Sequence, residues 1–82
     1  MNIYIKTNEA IAAYNRRNPK KKMTQLSLSE QVFKGESISD QSKLVYLSQW
    51  QSGKMIERCR IQYIVAICKA TNTLLSDLVE TR

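Results

Sequence analysis

The chain has no histidine, one proline and two glycines among its 82 residues, and each shortage excludes a class of protein. Without histidine, the commonest general base and the commonest zinc ligand are both missing. The two cysteines, Cys59 and Cys68, stand nine positions apart and form no CxxC pair. On one helix, a turn of about 100° per residue would send them to opposite faces. Neither a zinc site nor an intrahelical disulfide is therefore expected, and two buried thiols in a reducing compartment fit better. No glycine-rich phosphate loop occurs. An enzyme is not expected, nor a cofactor or metal. So little Gly and Pro also disfavours a turn-rich β-sandwich. No apolar run nears the roughly 18 residues of a membrane span. The opening MNIYIKTNE lacks the basic, apolar, small-residue order of a signal peptide, so a cytoplasmic protein is expected.

What remains is 43% hydrophobic and 24% charged, too apolar for a disordered chain. The length suits a single domain over residues 1–82, able to bury roughly 60% of the surface its unfolded form exposes. Thirteen Lys and Arg against seven Asp and Glu give a net charge of +6. Such a balance suits a polyanionic partner, although charge alone does not choose among DNA, RNA and an anionic membrane.

Helical spacing then organises the chain. Residues 1–6 alternate weakly, as a strand-like or flexible arm would. Thr7 is placed to cap a first helix over about 8–17, in which Ala10, Ile11 and Tyr14 recur at helical intervals before Pro19 ends it. RRNPKKK follows, with five positive charges in seven residues. Thr24 caps a second helix carrying Leu28 and Val32 on one face. The stretch from Phe33 to Ile38 reads as a loop around Gly35. A third helix runs from Ser39 or Asp40 to Ser52, closed by Gly53. KMIER reads as polar connection. A fourth helix, about 60–71, carries a wide apolar band (Ile61, Ile64, Ile67, Cys68, Thr71, widened by Tyr63, Val65 and Ala66) and should be the most buried element. Asn72 stands at its C-terminal cap, and a short fifth helix over about 74–80 holds Leu74, Leu75, Leu78 and Val79. The expected class is all-α, with no sheet.

The order of these segments resembles the Cro/phage-repressor type of helix-turn-helix, the xenobiotic-response-element family, over roughly residues 8–80. IVAICKATNTLLSDLVE (residues 64–80) is similar to the family's helix 4, cap and Leu-rich helix 5, with Ile67, Ala70, Leu75 and Leu78 at its core positions. Thr24-Gln25-x-x-Leu28 resembles the opening of its helix 2. Leu47-Ser48-Gln49-Trp50-x-x-Gly53 resembles the end of its recognition helix. The gap from Val32 to Ser39 exceeds the usual 3–4-residue turn, and Gln51 and Ser52 stand where the family has an acidic-basic pair. The resemblance implies a compact five-helix, lambda-repressor-like domain and a small regulator that binds a pseudo-palindromic operator in double-stranded DNA as a homodimer.

On a helical wheel from Asp40, the third helix gathers Leu44, Leu47 and Trp50 on one face, with Tyr46 at the margin. The opposite face holds Gln41, Ser42, Val45, Ser48, Gln49 and Ser52, none of them acidic, and the first five are the expected base contacts. Gln pairs with adenine through N6 and N7, Ser is adaptable, and Val45 would meet a thymine methyl. The expected phosphate contacts are Arg16, Arg17, Lys20, Lys21, Lys22 and Gln25, with Lys43 and Lys54 flanking the recognition helix. Trp50 belongs to the core, not to a stacking platform. Leu74 and Val79 are spare apolar side chains for a dimer interface. A rival reading is a protein-binding module, such as an antitoxin or an antirepressor, on the same scaffold.

Overall fold

The computed structural model describes residues 2–82. In chain order its elements are β1 (Ile3–Ile5), α1 (Thr7–Arg17), α2 (Gln25–Val32), α3 (Asp40–Gln51), a 3₁₀ turn (Ile56–Arg58), α4 (Ile61–Thr71), α5 (Leu75–Leu78) and β2 (Val79–Thr81). The helices are short, so how each end is satisfied matters as much as which face is apolar.

The ends of α2 and α3 are closed by their own residues. Thr24 Oγ1 accepts from the Ser27 backbone N–H at 3.1 Å, while Ser27 Oγ accepts from the Thr24 N–H at 2.9 Å. Serine here takes the reciprocal role more often filled by Glu or Gln. Ser39 caps α3 in the same manner, accepting from the Ser42 N–H at 3.2 Å.

The ends of α1 and α4 are closed from elsewhere in the fold. Thr7 is not the cap of α1 but its first residue, fully buried. Its hydroxyl and the Asn8 N–H both donate to Gln51 Oε1, at 3.1 and 2.8 Å, and Gln51 Nε2 donates to Glu9 at 2.9 Å. The last residue of α3 thus caps the first turn of α1. At the far end of α1, Arg17 Nη2 donates to the carbonyls of Thr71 and Asn72 at 2.8 and 3.3 Å, closing α4. Asn72 takes the left-handed conformation expected of it (φ 53°).

The all-α expectation holds for the body of the protein and fails at its ends. β1 and β2 pair antiparallel in the register Ile3 to Thr81, Tyr4 to Glu80 and Ile5 to Val79. Reciprocal backbone bonds between Asn2 and Arg82, at 2.8 and 2.9 Å, extend the pair, and Lys6 N–H donates to Leu78 O at 2.8 Å. Residues 2–6 are therefore not a free arm: Ile5 is buried in the core. The fifth helix is shorter than its pattern suggests because Val79 has already turned into β2.

The core gathers Leu28 and Val32 of α2, Leu47 and Trp50 of α3, Tyr63 and Ile67 of α4, and Leu78 of α5. At its centre, Phe33 lies 5.0–5.8 Å by ring centroid from Tyr46, Trp50 and Tyr63. Phe33 belongs to the stretch expected as a loop, and its backbone does leave α2, but its ring returns to the core. Two further expectations are corrected. Only Tyr63, Ile67 and Thr71 of α4 are buried, because α1, α2 and α5 cover one side of it, and Ile61 stays 68% exposed. Leu75, matched to a core position, is 53% exposed. KMIER contains the 3₁₀ turn, entered through Met55 at φ 56°, and Cys59 lies in the bend before α4 and not on it. Among the described residues, no helix is long and apolar enough to cross a membrane.

Candidate nucleic-acid interface

The third helix has two faces of different chemistry. Leu47 and Trp50 are buried in the core with Tyr46 packed against them, and Leu44 is half-buried. Gln41, Val45, Ser48 and Ser52 are exposed, following the four-three-four spacing of a single stripe. Val45, 45% exposed, is the one apolar member.

Two of the expected base contacts sit at the margin of that stripe. Ser42 is half-buried, and its hydroxyl accepts from Ser39 Oγ at 2.9 Å within the helix cap. Gln49 is also half-buried. The structure thus narrows the exposed face to Gln41, Val45, Ser48 and Ser52, the first three of them among the expected base contacts.

The cations divide as well. Arg16, Lys20, Lys21, Lys22 and Lys54 are exposed, and among the described residues none lies within ion-pair distance of an acid. Arg17, placed among the phosphate contacts, spends its guanidinium on the end of α4. Lys43 is withdrawn more completely: its side chain is only 14% exposed and its Nζ lies 3.7 Å from Asp40. On the wheel it stands opposite the exposed stripe, which is why a residue inside α3 in sequence is outside its outer face in space.

Gln25 opens α2, where free backbone N–H groups are available to an anion. Its side-chain amide donates to Asn8 Oδ1, and Asn8 in turn donates its backbone N–H to Gln51. The start of α1, the start of α2 and the end of α3 therefore converge. In sequence, exposed Lys22 stands three residues before Gln25 and exposed Lys54 three residues after Gln51. Gln51 and Asn8 were missed from sequence, since neither carries a local signal for a bond across more than 40 positions.

Of the expected dimer pair, Leu74 is 70% exposed, whereas Val79 is half-buried in β2 and packed on the core. Leu75 takes its place as the exposed neighbour of Leu74.

Behind α3, a cleft of about 380 Å³ lies among Phe33, Tyr46, Trp50, Arg58 and Arg60. Glu36, at its edge, accepts from the Tyr63 hydroxyl at 2.8 Å, and that bond followed by burial pushes the Tyr63 pKa up. The indole N–H of Trp50 is buried with no acceptor among the described residues. Burial pushes the Cys59 thiol up to about 12 and raises that of Cys68, so both are poor nucleophiles. Among the described residues, no three His, Cys, Asp or Glu side chains gather as a metal site would require. Neither a protein-family model, nor a curated protein, nor a solved structure matches this chain.

Proposed function

We propose that this is a small regulator that binds double-stranded DNA in a sequence-specific manner, with α3 in the major groove and α2 packed across it as the supporting helix. The observation that carries the reading is the division of α3: an apolar face locked in the core and an exposed stripe of Gln41, Val45, Ser48 and Ser52 with no charge on it. An ordinary exposed helix face mixes Lys and Glu, whereas a face that reads base edges needs amide, hydroxyl and apolar groups. Unpaired cations before α2 and after α3 supply the phosphate contacts that position such a helix. Leu74 and Leu75, exposed side by side, support a homodimer that reads two half-sites about one DNA turn apart.

The test is selection of bound duplexes from a random pool at near-physiological salt. Enrichment of a palindromic site, lost when Gln41, Val45 and Ser48 are all changed to alanine, supports the reading. Salt-sensitive bulk binding with nothing enriched would leave only the basic surface. The exposed apolar residues of α4, Ile61 and Val65, would then favour a second reading, a protein-binding module of antitoxin or antirepressor type.

A further inference from the structure

The DNA-binding reading can be carried to the bases themselves, because the structure decides which side chains of α3 are free to read. In the major groove, guanine is recognised chiefly by Arg or Lys, cytosine by Glu or Asp, adenine by Gln or Asn, and thymine through its methyl group. A helix with no free cation or acid on its outer face lacks the usual readers of a G·C pair.

Such is the state of α3. Its one cation is Lys43 and its one acid is Asp40. Lys43 is 14% exposed, lies opposite the stripe and faces Asp40 at 3.7 Å. The Asp40 side chain is 70% exposed, but it stands one helical step, about 100°, from Gln41, beside the stripe and not on it, and Lys43 is its ion-pair partner. What faces outward is Gln41, Val45 and Ser48. Gln41 and Val45 are four residues apart, about 6 Å along the axis at 1.5 Å per residue. That spans nearly two base steps of about 3.4 Å. One helix stripe thus sets an amide and an isopropyl group against base pairs about two steps apart.

We infer that the element read by α3 is A·T-rich, with Gln41 on an adenine and Val45 against the methyl of a nearby thymine. The inference rests on the DNA-binding reading above, and its test separates the two. Bound duplexes are selected from a random pool, and each enriched thymine is then replaced in turn by deoxyuridine, which lacks only the methyl group. The expected core is A·T, with a preference at the Gln41 position of about tenfold or more that Gln41→Ala abolishes. One deoxyuridine replacement should weaken binding about fourfold in the parent protein and leave Val45→Ala unchanged. Both side chains are exposed, so both variants keep the fold, and circular dichroism checks this.

A G·C pair enriched at the position whose preference Gln41→Ala or Val45→Ala removes would overturn the A·T assignment while keeping α3 as the reader. Deoxyuridine replacements that affect the parent and Val45→Ala equally would overturn the methyl contact. No enriched site at all would remove the DNA-reading hypothesis and this inference with it.

Discussion

Single residues carry more of this fold than their chemical type suggests. Gly53 has φ +77°, and a Cβ built there would lie 2.7 Å from Tyr4 Cε1. It thus serves a left-handed turn and also admits the ring of β1 against the end of α3. Gly35, at φ +85°, has open space around it. Gly35→Ala should therefore cost about 1 kcal/mol, the backbone effect alone, whereas Gly53→Ala should cost clearly more. Thermal unfolding of both variants checks this, and Gly53→Ala combined with Tyr4→Ala should recover the steric part only.

Cys59 and Tyr63 make stability depend on pH. Both pKa values are raised in the folded state, Cys59 by burial and Tyr63 first by its bond to Glu36. The unfolded chain releases these protons first, so the folded state binds more of them and stability falls with rising pH. The Cys59 contribution is complete below about pH 9 and lost as pH climbs toward about 12. Denaturant midpoints should drop between pH 8 and pH 10.5, and by less in Cys59→Ala. An equal drop in the variant would remove Cys59 as the cause.

Between elements, the decisive contacts are those by which one helix finishes another. The start of α1 has no cap of its own and depends on Gln51 of α3. Gln51→Ala would leave a buried hydroxyl and a helix N–H without an acceptor, and should destabilise the protein by about 1–3 kcal/mol. Gln51→Glu keeps the acceptor and suits the helix N-terminus but sets a carboxylate against Glu9, so it should fall between the two. Chemical denaturation ranks the three proteins, and any other order would refute this account of the cap.

The same scale explains what pattern reading reached. α2 was legible with its cap, Thr24, and α3 to within a residue of its start, because the signal and the structure it makes lie within four residues. β1 was legible only as a weakly alternating, strand-like arm and β2 not at all, since strands of three residues give little period and no sign of a partner at the other end of the chain. In α4 the apolar band is wider than the face its neighbours cover, so spacing marked Ile61 and Val65 as interior when they are not.

For the whole molecule, the excess of cations is concentrated where ion pairs are few. Among the described residues only Lys6, Lys43 and Arg82 lie within 4.0 Å of an acid. The exposed Lys20, Lys21 and Lys22 are free to meet phosphates. Each neutralised phosphate contributes about 0.9 to the slope of log affinity against log salt. Alanine at all three should weaken binding to every duplex alike and lower that slope by about 2–3. Titrations at several salt concentrations on an enriched site and on a scrambled one check this. A loss confined to the enriched site would assign these lysines to sequence reading instead.

The amino-acid order by itself determined the helical class, the positions of α1 to α4, the polar outer stripe of α3 and the basic run before α2. These follow from local periodicity, caps and charge, which need no knowledge of what lies across the molecule. Only the tertiary structure decided that Arg17 and Gln51 close other helices, that Lys43 faces inward beside Asp40, that Val79 belongs to a strand and that Phe33 returns to the core. Apart from the Lys43–Asp40 pair, three residues apart, each of those outcomes depends on a partner far away in sequence, and a side chain's exposure or occupied hydrogen bonds exist only once that partner is in place.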